Sequence, residues 1–151
     1  MKKVITILSL CIAFGFTTIQ TADNCDKKAL SENCKKQLGE FQYDSQKFMK
    51  INFTEKVQLL EVEVPVFVGE KYRVVFNTSS LPNQVNVSVY TKDKESKKRE
   101  AIFSSKKDAA GKTEFAFDAP RVRKMYVDYE IPMIDSKEKQ SGCAVFMVGY
   151  K

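Results

Sequence analysis

Three observations predict a mainly β protein: an antiparallel β-sandwich of about seven strands, jelly-roll or Ig-like, with one N-terminal amphipathic helix packed on it. Seven segments after residue 56 carry apolar residues with period two or as short apolar runs. Turn residues separate them at nearly every junction. No helical segment is interleaved with them, which argues against a parallel α/β sheet.

The 151-residue chain opens with Lys2 and Lys3, then the apolar run VITILSLCIAFGF, then the small, polar TTIQTAD. This is the pattern of a signal peptide spanning residues 1–22, cleaved near Ala22. The run is shorter than the roughly 20 residues of an ordinary membrane span, and an uncleaved anchor is the alternative. Leu10 before Cys11 does not suit a lipoprotein signal, which wants a small residue there. No other segment reads as a span. Residues 23–151 would then form one domain, a helical segment over 23–52 and a sandwich over 53–151. The formal charge of +6 falls to +4 without Lys2 and Lys3. That mild excess permits polyanionic partners without demanding them, and export argues against nucleic acid.

Residues 26–50 read as helix. Leu30, Cys34, Leu38, Phe41 and Phe48 fall within about 80° of one another at helical pitch, which predicts a core-facing stripe. Gly39 weakens its centre by about 1 kcal/mol relative to Ala, so a break into two shorter helices is the alternative. Asn24 or Asp26 is placed to cap the start. The strands follow in order. VQLLEVEVPVFVG sets Leu60, Val62, Val64 and Val66 on one face, with Glu61 and Glu63 on the other. EKYRVVFNTS, QVNVSVYT, REAIFSS, KTEFAFD and KMYVDYEIP continue the pattern. CAVFMVGY is apolar on both faces, as a strand covered on both sides would be.

Chemistry is constrained by the absence of histidine. Ser-His-Asp and Cys-His catalysis and imidazole zinc ligation are thereby removed. No phosphate-binding or nucleophile-elbow motif is present, so neither a cofactor nor a metal is expected. A calcium site at Asp128, Glu130 or Asp135 has no supporting spacing. Asp128 with Glu130, and Glu61 with Glu63, lie two apart on a strand face, about 6.5–7 Å along it, near the spacing a glycosidase uses. A carboxylate-based glycoside hydrolase is therefore one alternative, and a solvated strand face is the ordinary reading. Basic residues cluster at Lys92, Lys94, Lys97, Lys98 and Arg99; at Lys106, Lys107 and Lys112; and at Arg121, Arg123 and Lys124. If their turns share one end of the sandwich, they form a positive rim for an anionic glycan or an acidic protein face. Tyr90 and Tyr126, opposite the apolar stripes, could stack on sugar. Asn52, Asn77 and Asn86 begin Asn-x-Ser/Thr triplets, which matter only in a eukaryotic secretory pathway.

With Cys11 in the signal, Cys25, Cys34 and Cys143 remain, allowing one disulfide and one free thiol. In a continuous helix Cys25 and Cys34 would be half a turn out of phase and about 13.5 Å apart, too far for a bridge. Cys34 sits mid-stripe and Cys143 opens the last strand, so Cys34–Cys143 is the expected pair and Cys25–Cys143 the next.

The runs VEVPVFVGEKYRVVFNT, VNVSVYTKD, KTEFAFDAP and KMYVDYEI resemble the small exported sandwich modules of the pre-peptidase C-terminal and GOLD kinds, over about residues 57–131. The ending GCAVFMVGYK behind a cysteine-bearing helix is similar to uncharacterised exported bacterial proteins. These resemblances imply a non-catalytic accessory or interaction role and carry no functional residues. The sequence thus points to a secreted or periplasmic binding module for an envelope partner or anionic glycan. A purely structural envelope protein is a further alternative.

Overall fold

A computed structural model describes residues 25–135 and 140–151. The predicted signal segment lies outside them. Helix α1 (Lys27–Leu38) comes first, followed by eight strands: β1 (Gln42–Phe53), β2 (Gln58–Pro65), β3 (Tyr72–Asn77), β4 (Asn86–Tyr90), β5 (Ala101–Ser104), β6 (Glu114–Ala119), β7 (Lys124–Ile131) and β8 (Gln140–Tyr150). A single helical turn, α2 (Ser105–Asp108), follows β5. The strands form two four-stranded antiparallel sheets. Sheet A has the order β1-β8-β3-β6 and sheet B the order β2-β7-β4-β5.

The expected helix over 26–50 is half right. Asp26 caps α1, its carboxylate accepting from the amides of Lys28 and Ala29. Gly39 then takes φ 60° and ψ −119°, a conformation that side chains with a Cβ rarely adopt, and the helix stops. The remainder is an eighth strand, β1. Its inward side chains Met49, Ile51 and Phe53 are buried while Lys50 and Asn52 between them are exposed, a period of two. The apolar stripe nonetheless stays together. Phe41 in the turn and Phe48 on β1 pack with Leu30, Cys34 and Leu38 of α1 in one small core.

Two apolar layers result. The larger lies between the sheets and includes Val62, Val64, Phe76, Phe103, Met125, Val127 and Phe146. The smaller lies between α1 and the outer face of sheet A, where Val75, Cys143, Val145 and Met147 receive the helix. β8 is central in sheet A and is covered on both faces, as its apolar run implied. Polar contacts fasten the helix. Asn33, Gln37 and Asn77 all donate to the Glu114 carboxylate on β6. The Arg73 guanidinium reaches the Gln37 and Leu38 carbonyls at the end of α1, pairs with Asp118 and lies over the Phe41 ring. Asn77, first residue of one Asn-x-Ser/Thr triplet, is fully buried in this network.

The disulfide joins Cys25 to Cys143, with Cα atoms 5.3 Å apart, and Cys34 is free and buried. The expected Cys34–Cys143 pair is thus corrected. Cys25 lies before α1 begins and is not held to helical phase, so it can reach Cys143. Cys34 faces the same small core as a packed apolar group. Burial, and secondarily the charge of Glu114, pushes its thiol up to about 12.

Candidate functional site

The outer face of sheet B collects most of the residues singled out above. Register places Glu61 of β2 opposite Asp128 of β7, and Glu63 opposite Tyr126. It also places Ser88 and Tyr90 of β4 opposite Asp128 and Tyr126. Two carboxylates therefore stand side by side on neighbouring strands, an arrangement that requires a counter-charge. Arg99, from the loop between β4 and β5, folds back to supply it. Its Nη1 and Nη2 donate to both Asp128 oxygens at 2.6 and 3.0 Å, and Nη2 also reaches Glu61 at 2.7 Å. Its Nε donates to the Lys92 carbonyl at 2.9 Å, and the guanidinium carbon sits 3.7 Å from the centre of the Tyr90 ring. Burial opposes this charge, but the hydrogen bonds and charge of Asp128, with Glu61, outweigh it and hold Arg99 above its ordinary pKa.

Flanking pairs complete the face. Lys106 binds Glu130 at 3.0 Å and Lys124 binds Glu63 at 2.7 Å. Glu61, Glu63, Asp128 and Glu130, the two strand pairs considered from sequence, are therefore each engaged by a cation. Asp128 is nearly enclosed, and Glu130 is exposed beside Lys106. A glycosidase needs one protonated carboxyl and one free carboxylate facing a shared groove, and this face offers paired charges instead. Among the described residues no cluster of three or more Cys, Asp or Glu side chains is arranged to hold a metal ion.

The strand ends sort the basic clusters. The 91–100 loop leaves β4 at Tyr90, opposite Tyr126 near the start of β7, and the 120–123 loop leads into that start. Lys97, Lys98, Arg121 and Arg123 therefore share one end of the molecule. All four are exposed, and none makes an ion pair among the described residues. Lys106, Lys107 and Lys112 follow β5 and lie at the opposite end. Of the three clusters that the sequence grouped as one rim, two thus share an end and the third does not. Beside it runs a shallow groove of about 360 Å³ lined by Thr91, Lys92, Lys98, Glu100 and Ile102. Tyr90 and Tyr126 are half-buried cross-strand neighbours on sheet B, and Tyr90 is spent on Arg99. Sequence reasoning did not pair Arg99 with Glu61 and Asp128, because their proximity depends on β2, β7 and β4 being neighbours.

No protein family matches the sequence, and no curated protein is similar to it. Among solved structures, the chain is similar to PliG of Aeromonas hydrophila, a periplasmic inhibitor of g-type lysozyme. Identity is 15%, the TM-score 0.46, and the match covers 70% of this chain and 86% of PliG.

Proposed function

We propose that the protein is an exported, non-catalytic binding module that holds an anionic partner of the cell envelope at its basic end. The observation that carries this reading is that the 91–100 and 120–123 loops lie at the same end of the sandwich, with Lys97, Lys98, Arg121 and Arg123 exposed there and in no ion pair among the described residues. The adjoining groove between Lys92 and Lys98 is concave enough to seat a sulfate or phosphate group of a glycan. Engagement of Glu61, Glu63, Asp128 and Glu130 by cations supports the non-catalytic part. The signal-like N-terminus and the Cys25–Cys143 bridge support export, since disulfides persist in oxidising compartments.

Binding to an array of sulfated and phosphorylated glycans, measured at low and physiological salt, tests the reading. Charge-driven contact at exposed loops should weaken as salt rises. A Lys97→Glu, Lys98→Glu double variant should lose most of the binding while keeping its fold. Absence of any acidic glycan ligand at low salt would end the proposal in this form.

A further inference from the structure

Phe67 and Val68 are the two most exposed large apolar side chains among the described residues, at 75% and 78%. They stand side by side in the 66–71 loop, which carries the chain from β2 of sheet B to β3 of sheet A. This loop is fastened at both ends. The Phe67 amide donates to the hydroxyl of buried Tyr72 at 2.9 Å. Lys71 and Lys151 exchange amide-to-carbonyl bonds at 2.9 and 3.0 Å. Val66 packs against the core between the sheets. Gly69, at φ 108°, then turns the chain directly after Val68. The fold therefore holds two neighbouring apolar side chains out in water on an anchored turn.

Register fixes what surrounds that turn. Pro65 lies opposite Lys124, so the 66–71 loop leaves sheet B beside the 120–123 loop. Tyr126 faces Tyr90, from which the 91–100 loop departs. The three loops thus share one end of the sandwich, and together they carry eight lysines and arginines against four carboxylates. The charge is not even around the tip. Asp44 and Glu70 line a hollow with Phe67, Tyr72 and Tyr150 over sheet A. The 91–100 loop and the approach to β7 lie over sheet B, and there Lys97, Lys98, Arg121 and Arg123 are exposed without ion pairs among the described residues.

We propose that this end docks on an anionic lipid surface, with Phe67 and Val68 entering the boundary between headgroups and acyl chains and the four cations meeting the lipid phosphates. The inference rests on the reading of the basic end as the binding face and names its partner. A hydrated glycan would neutralise the cations but leave the projecting side chains in water. An acidic protein face would need a recess cut to the tip. A bilayer surface accepts an apolar projection of any outline and surrounds it with negative charge, so burial and electrostatic attraction act together.

Flotation of the exported, disulfide-bonded protein with vesicles of equal parts phosphatidylglycerol and phosphatidylcholine tests it, against vesicles of phosphatidylcholine alone. Binding to the mixed vesicles should be at least about tenfold stronger than to the neutral ones and should fall as salt rises. The chain has no tryptophan, so Val68→Trp installs a single reporter at the tip. Its emission should shift to the blue on the mixed vesicles and be quenched by brominated acyl chains. Val57→Trp, also exposed but at the other end of β2, should show neither. Phe67→Ser with Val68→Ser should weaken vesicle binding at least about tenfold and keep the wild-type circular dichroism spectrum, since both side chains are exposed. Undiminished binding of that double variant, or a Val68→Trp signal no different from that of Val57→Trp, would overturn the inference and leave a purely electrostatic contact. Absence of vesicle binding at low salt would overturn it as well. Capture of an acidic glycan in that case would keep the basic end as the binding face, and failure with both ligands would end both readings.

Discussion

Removing the Arg99 guanidinium would leave Glu61 and Asp128 adjacent, largely buried and without a counter-charge. Loss of one partner from a buried ion cluster costs about 3–5 kcal/mol, so Arg99→Ala should lower the urea midpoint substantially, and adding Asp128→Asn should recover part of the loss. Lysine cannot make the forked contact or lie flat on Tyr90, so Arg99→Lys should behave nearly as badly. Tyr129 presents the opposite case. Its hydroxyl is buried in the sandwich and is, among the described residues, the side-chain polar atom without a hydrogen-bond partner. An unsatisfied buried hydroxyl costs about 1–3 kcal/mol, so Tyr129→Phe should raise stability by roughly 1 kcal/mol in the same measurement. Asp118 gives a pH dependence. The hydrogen bonds from Arg73, with its charge, hold the Asp118 carboxyl below the ordinary range. A carboxyl depressed in the folded state stabilises above its unfolded pKa, and the contribution is lost as pH falls through the folded value. Stability should therefore fall as pH drops below the usual carboxylate range, with a shallower fall in Asp118→Asn. An unchanged slope would show that this pair does not contribute to the acid limb.

At the scale of elements, Gly39 decides where helix gives way to strand. Its φ of 60° with ψ of −119° is a glycine conformation, and a Cβ there would also meet the Arg73 guanidinium at 3.4 Å. Gly39→Ala should cost on the order of 1–3 kcal/mol, read as a lowered denaturation midpoint. β2 to β8 were legible because a half-buried strand must alternate and a doubly covered one need not. β1 was not. Its first residues, Gln42 to Lys47, are exposed and, Tyr43 apart, polar, with no alternation in burial, and Phe48 happens to continue the helical phase of Leu38 and Phe41. Legibility of the site divides in the same way. The basic loops could be read as composition, and their sharing of an end follows once strand order is known. The fate of Arg99 could not be read, because it is written in the register between β2 and β7. Nor could the exposure of Leu59 and Leu60 be read, because two leucines in a strand look like core until their edge position is seen.

For the whole molecule, the Cys25–Cys143 bridge closes a loop with a sequence separation of 118 and pins the lead-in of α1 to the central strand of sheet A. The chain-entropy model assigns such a loop roughly 4–5 kcal/mol. Reduction should therefore lower the urea midpoint markedly while leaving the β-sheet spectrum of the folded state in place. A midpoint unmoved by reductant would show that packing of α1 alone holds that corner.

The central place of β8 also sets a timetable. Gln42 pairs with Tyr150 and Tyr72 with the same residue, so β1 and β3 wait for a partner made more than 70 residues later. A chain delivered from its N-terminal end displays those two strands, with their apolar faces bare, until the last eleven-residue strand arrives between them. Such distant pairings make folding slow, and the waiting strands are open to wrong partners in the meantime. Deletion of β8 would leave sheet A split in two, β1 on one side and β3 with β6 on the other.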